Sequence, residues 1–249
     1  MRVAVLADIH GNLPALEAVL ADVDRSGADV VVIAGDVAAG PMPRETLDRL
    51  AGLGDRARYV MGNADREVVE AFDAAARGEP ADGPVSPWAA SRIDRAHRDH
   101  LAGYAPTLTL DVDGLGPTLF CHGSPRSDEE IVTTFTSDER LASILDGVAE
   151  PTVVGGHTHR QSDRVVAGRR VVNAGSVGMP YEGDAAAFWA VLGPGVQLRR
   201  TAYDVAAAAA AMRAAGLPDI DELMLRESLL EPTDPDVVSR YFEDQALGA

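Results

Sequence analysis

Apolar residues follow two rhythms along the first third of the chain. Continuous, valine-rich runs occupy residues 3–7 and 30–34, with a shorter one at 58–61. Unbroken runs of this length read as strands covered on both faces. Between the first two, Leu13, Leu16, Ala18, Leu20 and Val23 recur at helical spacing, and residues 46–53 also look helical. Strand and helix thus alternate, which predicts βαβ units. Residues 66–105 read as mostly helical, interrupted by the turn-rich stretch 78–87. Strand patterns return at 108–112, 118–121, 152–154, 164–166, 170–172, 188–192 and 196–203. Short glycine-containing turns join several of these, as between antiparallel neighbours. From Val205 onward the pattern is helical again, beginning with an alanine run of high intrinsic propensity. There is no internal repeat and no linker. One α/β domain over residues 1–249 is expected, with its core in 1–203 and a helical C-terminal extension in 204–249.

Composition narrows the function. With 46% apolar and 24% charged residues the chain is an ordinary globular protein. Its 39 acidic and 22 basic residues give a formal charge of −17. Such a surface repels nucleic-acid backbones and anionic lipid, so neither duplex binding nor a membrane role is expected. The sequence contains no lysine, which removes a Walker-type phosphate lysine and Schiff-base chemistry. Cys121 is the single cysteine, so an intrachain disulfide and an all-cysteine metal site are excluded. The apolar start is broken at Asp8 and His10, too early for a signal-peptide core, and no run is long enough for a bilayer. A cytoplasmic location is expected.

Histidines and aspartates collect at the carboxyl ends of the apolar runs. Asp8-Ile9-His10-Gly11 follows the first, Gly35-Asp36 the second and Gly62-Asn63-Ala64-Asp65 the third. His122-Gly123 and Gly156-His157-Thr158-His159 follow two later ones. Ligands bind at that edge of open α/β sheets. Taken singly, each residue has a plainer reading: a cap, a turn former or a satisfied buried histidine. Five strand ends presenting oxygen and imidazole groups together are hard to explain that way. Carboxylate, amide oxygen and imidazole suit Mn²⁺, Fe²⁺ or Zn²⁺. Seven ligands exceed the needs of one ion, so a two-ion site about 3.5–4 Å across is expected.

This order of motifs, over residues 1–192, resembles the calcineurin-like metallophosphoesterases, and most of all their small bacterial and archaeal branch. Asp8-Ile9-His10-Gly11-Asn12 before a helix and Asn173-Ala174-Gly175-Ser176-Val177-Gly178 after the histidine loop add to the likeness. The resemblance implies a two-sheet β-sandwich flanked by helices, a four-layer α/β/β/α fold with a helical insertion. It implies that Asp8, His10 and His159 hold one divalent ion, that Asn63, His122 and His157 hold a second, and that Asp36 bridges them. Mn²⁺ is favoured, with Fe²⁺, Zn²⁺, Ni²⁺ and Mg²⁺ as alternatives. A hydroxide shared by the ions would attack phosphorus in line with the leaving oxygen.

Ala64 departs from the family pattern, which has a histidine there as proton donor or phosphate clamp. Its loss favours phosphodiesters, with nucleoside cyclic phosphates of the 2′,3′ type as candidates. The alternatives are a broad phosphomonoesterase or a non-catalytic scaffold, the latter weakened by seven intact ligand positions. Asp65 would support the missing histidine or cap the helix that follows. Arg126 could clamp a phosphate, and Ser124, Asn173, Ser176 and Tyr181 could line the rim. His97 and His100 read as a solvated helix face, or as a substitute acid over the cleft. The expected partner is a small phosphodiester, and a homo-oligomer is left open.

Overall fold

The computed structural model describes residues 1–248. The alternating first third folds as β1 (Val3–Leu6), α1 (Leu13–Ser26), β2 (Val30–Ile33), α2 (Pro43–Ala51) and β3 (Ala57–Tyr59). The helical insertion contains α3 (Asn63–Arg77), α4 (Val85–Arg92) and α5 (Arg95–Ala102). Then come β4 (Leu108–Val112), β5 (Gly116–Phe120), α6 (Asp138–Ile144), β6 (Thr152–Gly155), β7 (Ser162–Val166), β8 (Arg169–Asn173), β9 (Ala187–Leu192) and β10 (Val196–Thr201). The chain continues through α7 (Val205–Ala214), a π-helix (Asp221–Leu230) and α8 (Pro235–Leu247).

The strands form two five-stranded sheets, ordered β10-β9-β1-β2-β3 and β4-β5-β6-β8-β7. In the first, β1, β2 and β3 run parallel, while β9 and β10 are antiparallel. In the second, β5, β6 and β8 are parallel, and the hairpins β4–β5 and β7–β8 close its edges. Period-two alternation explains why β1 is apolar throughout. Ala4 and Leu6 face a core shared with Leu16, Val19, Leu20 and Val68. Val3, Val5 and Ala7 face the opposite sheet, against Phe120, Val154 and Val172. On the far side of the second sheet, Leu141 and Leu145 of the α6 region pack on Val153 and Val166. These layers are the expected α/β/β/α sandwich.

Local differences have local causes. The third strand ends at Tyr59 rather than 61, because Val60 bridges to Ala105 and Met61 N–H donates to Ala105 O. β10 stops at Thr201, short of Tyr203, whose hydroxyl instead accepts from Asn12 Nδ2. α1 runs on to Ser26, where Gly27 at φ 72° caps it. Helix α6, which the sequence pattern did not announce, has only seven residues, started by Ser137 capping Arg140 N–H. In the π-helix the buried positions are Met224, Leu225, Ser228 and Leu229, which form its inward face.

Candidate metal centre

The loops after β1 and β2 are joined backbone to backbone. Asp8 N–H donates to Gly35 O, His10 N–H to Asp36 O and Gly11 N–H to Val37 O, at 2.9–3.0 Å. Among the described residues, seven non-glycine residues have positive φ: Asp8, His10, Asp36, His157, His159, Ala167 and Asp219. Five of these are predicted ligands. Such conformations cost about 1–3 kcal/mol each and persist where surrounding structure enforces them, commonly at functional sites. Three glycines let the loops close in. A Cβ on Gly62 would lie 2.2 Å from Asp36 Oδ1, one on Gly156 2.4 Å from Asp8 Oδ2, and one on Gly35 2.5 Å from His122 Nδ1.

These loops bring six of the seven predicted ligands into two clusters. In one, single ligand atoms of Asp8, His10, Asp36 and His159 lie within 4.8 Å of one another; in the other, those of Asp36, His122 and His157 do. Asp36 belongs to both. His10 Nε2 and His159 Nε2 stand 3.2 Å apart, and each faces a carboxylate: His159 3.3 Å from Asp8 Oδ1, His10 3.6 Å from Asp36 Oδ2. His122 Nε2 is 3.3 Å from Asp36 Oδ2.

Backbone carbonyls set the histidine tautomers. The Nδ1–H groups of His10, His122 and His159 donate to Ala39 O, Ala34 O and Met179 O at 3.0, 2.7 and 2.7 Å. Each ring therefore turns an Nε2 lone pair into the cluster, the usual arrangement of metal-binding histidines. His157 is reversed: its Nε2 meets Glu129 O at 3.2 Å, which leaves Nδ1 for the site. Among the described residues, the buried side-chain atoms without a hydrogen-bond partner include His122 Nε2 and Asn63 Oδ1. Both are predicted ligand atoms of the second ion. Orphaned buried acceptors beside a carboxylate fit a divalent cation.

The electrostatics agree. Burial alone would push the His122 pKa down, but Asp36 and Asp8 outweigh it and lift it to about 10. His159 is likewise raised, with Asp8 overcoming burial. Asp8 and Asp36 are held below the usual carboxylate range by these histidines despite their own burial. His10 and His157 are lowered, chiefly by burial. The pocket draws positive charge into a dry interior, and a metal ion supplies that charge in place of protons.

Neighbouring residues take specific parts. Ala64 is buried, and its N–H donates to Asp36 Oδ1 at 2.9 Å. Asp65 neither caps its own helix nor supports a histidine. Its Oδ1 accepts from the N–H groups of Val37 and Ala38 at 2.9 and 3.0 Å and so holds the Asp36 loop. Burial and the Asp36 charge push its pKa up to about 7. Asn173 donates to Gly156 O and Thr158 Oγ1, fixing the histidine loop from behind, and Ser176 Oγ donates to Asp8 O. Ser124 is buried and bonds to Glu130, which also pairs with Arg126. Arg126 thus has a carboxylate partner within its own loop. Tyr181 alone of the rim candidates touches a predicted ligand ring, stacking on His159 at 5.2 Å and 13°.

The insertion histidines are not a solvated face. His97 bridges Asp94 and Asp48, the first within a capping box, and its side chain is only 13% exposed. His100 packs edge-on against Tyr59 and Tyr104. Sequence patterns also passed over Arg66, which ties α3 to Asp128 and Glu129 beside His157, and Arg160, which binds the start of α8. Single arginines outside any motif give no clue to partners more than sixty residues away.

The sequence profile of the calcineurin-like phosphoesterase superfamily domain matches residues 1–192. Symmetrical bis(5′-nucleosyl)-tetraphosphatase from Cronobacter sakazakii is 36% identical over 118 residues, which is 45% of this chain and 40% of that protein. The same-named protein of Enterobacter sp. is 36% identical over 84 residues, 33% and 30% of the two chains. The match therefore spans less than half the length of these curated relatives. Among solved structures, a metallophosphoesterase from Sphaerobacter thermophilus aligns with TM-score 0.69 and 28% identity, over 88% of this chain and 96% of that one. A hypothetical protein from Pyrococcus horikoshii OT3 aligns with TM-score 0.76 and 21% identity, over 88% and 94%, a likeness of fold. With the family profile running from β1 through β9 and across every predicted ligand, the chain belongs to the calcineurin-like phosphoesterase superfamily, and its buried Asp and His clusters are able to bind metal.

Proposed function

We propose that this enzyme is a dinuclear, metal-dependent phosphodiesterase. The observation that carries this reading is Asp36, whose carboxylate belongs to both ligand clusters. Asp8, His10 and His159 would complete one ion's ligands, and Asn63, His122 and His157 the other's, with Mn²⁺ favoured. Two bound divalent ions would supply Lewis acidity toward the phosphoryl oxygens and acidify a water for in-line attack.

The chain's own groups prepare that chemistry. Carbonyls of Ala34, Ala39 and Met179 keep three imidazoles in the ligating tautomer. His157 N–H donates to both Asp8 oxygens, at 3.2 and 3.0 Å, and fixes that carboxylate. Ala64 offers no side-chain proton to a leaving group. General acid catalysis contributes about 10²–10⁴-fold, so substrates with good leaving groups should fare best. A diester also brings less negative charge than a monoester into a protein of formal charge −17. Cyclic 2′,3′ nucleotides meet the charge condition, and the strain of their five-membered ring offsets the poor sugar-hydroxyl leaving group. The names of the curated relatives add dinucleoside tetraphosphates to the candidates, at the expense of more charge.

The test is hydrolysis of paired synthetic aryl monoester and diester substrates, with Mn²⁺ and with chelator. Diester cleavage that needs metal and exceeds monoester cleavage is expected. Preferential monoester cleavage would favour the phosphomonoesterase alternative, and silence on both by metal-loaded protein would favour a scaffold. Cyclic nucleotides and dinucleoside tetraphosphates then separate the two substrate classes.

A further inference from the structure

The chain beyond the family match returns to the candidate metal centre through α8. Arg160 directly follows His159. Its Nη1 donates to Pro235 O, Asp236 Oδ1 and Ser239 Oγ at 3.1, 2.8 and 2.9 Å, in the first turns of α8. Tyr181 covers one face of the His159 ring, its N–H donates to His159 O at 3.1 Å, and Phe242 of α8 lies 6.0 Å from its ring centre. Glu243, 9% exposed, accepts from Thr133 Oγ1 and Thr136 Oγ1 at 2.5 and 2.7 Å and from Arg140 Nη1 at 3.2 Å. A buried carboxylate is tolerated only when paired in this way, so α8 is seated in one position. Met179, whose carbonyl sets the His159 tautomer, packs with Met212, Met224 and Leu225 of the same C-terminal arm.

His159 is thus held on its Nδ1 edge, on one ring face and through its neighbour Arg160 by contacts that lead to residues 205–247. The second cluster is held differently: His122 by Ala34 O, Asn63 by its place at the start of α3, and His157 by the carbonyl of Glu129, a residue that Arg66 of α3 anchors. We propose that α8 is a positioning element for His159, acting through the Tyr181–Phe242 contact and Arg160, so that binding at the Asp8–His10–Asp36–His159 cluster depends on the C-terminal arm while binding at the Asn63–His122–His157 cluster does not. Phe242 and Arg160 are positioning residues, and the inference rests on the two-ion reading above.

The test uses full-length, metal-stripped protein titrated with Mn²⁺ by calorimetry, with thermal unfolding of each variant as a control. His159→Ala and Asn63→Ala assign the two binding events. Phe242→Ala and Arg160→Gln should each weaken the event lost in His159→Ala by about tenfold or more, the scale for groups that support metal ligands. The other event should not change. Val237→Ala, on the exposed side of α8 at 60% exposure, should alter neither. If Phe242→Ala fails to fold, Arg160→Gln decides alone. Unchanged binding in both variants, or equal weakening of both events, overturns the role of α8. Absence of any Mn²⁺ uptake by the wild type removes the two-ion reading itself, and the role of α8 with it.

Discussion

Ala64 contributes only its backbone N–H to Asp36, at a position where the family carries a proton donor or phosphate clamp. Ala64→His should therefore raise cleavage of poor-leaving-group monoesters relative to diesters by at least about tenfold, a conservative share of what an acid contributes. An unchanged profile across both ester types would contradict this account of the alanine. Asp65 next to it makes a pH-dependent contribution. Burial and the Asp36 charge push its carboxyl up to about 7, well above the usual carboxylate range. A raised carboxylate contributes stability that is fully present below the unfolded pKa and is lost as pH rises through the folded one. Metal-free wild type should therefore lose more stability between pH 4 and 8 than Asp65→Asn does, by denaturant titration at each pH. Parallel curves would contradict the raised pKa. The six residues that the structure gathers into two clusters were legible because their residue types repeat beside glycines at strand ends. The carbonyls of Ala34, Ala39 and Met179 were not, since every residue has a carbonyl and only the fold aims it. His97 was misread for a related reason: its partner Asp48 lies 49 residues away in sequence, on α2.

The strand-end loops carry the candidate metal centre, and their cost lies in backbone conformation. Gly156 allows the histidine loop to approach Asp8, so Gly156→Ala, with its Cβ 2.4 Å from Asp8 Oδ2, should weaken Mn²⁺ binding and suppress diester hydrolysis. Wild-type affinity in that variant would contradict the close approach. The β7–β8 turn provides a contrast. Ala167 adopts φ 51° on the surface, followed by Gly168 at 77°, and Asn-Gly is the favoured pair for such a hairpin. Ala167→Asn should raise stability by about 1 kcal/mol, the strain of a left-handed residue without a polar side chain. Activity should be unaffected, because the turn lies outside both clusters. At this scale the parallel strands were readable from their unbroken apolar runs. Helix α6 was not, because only Leu141 and Ile144 of its seven residues are buried, too few to establish a period. The helical character of residues 221–230 was readable but their π geometry was not, because Met224, Leu225, Ser228 and Leu229 repeat at a four-residue interval that an α-helix also gives.

At the scale of the molecule, two sheets place their loop-bearing edges together, so that residues 149 positions apart, such as Asp8 and His157, share hydrogen bonds. The two-layer sandwich and its flanking helices followed from the alternation of apolar runs and from the family likeness. The pairing order of the strands did not, because alternation shows which faces are buried and not which strands are neighbours. Among the described residues no helix is long and apolar enough to cross a membrane. The net charge of −17 bears on substrate choice, since every phosphate brought to the centre must approach an acidic surface. Added salt should accelerate capture of multiply charged substrates more than of singly charged diesters, by screening that repulsion; equal salt dependence would contradict it. The central claim is that Asp36 joins two metal ions into one hydrolytic centre. It is tested most directly by the Mn²⁺-dependent rate of diester hydrolysis in Asp36→Asn beside the wild type, each also measured after chelation. The expected result is a loss of at least about a hundredfold in the variant and abolition by chelator in the wild type. Full activity in Asp36→Asn, or hydrolysis that survives metal removal, would contradict it.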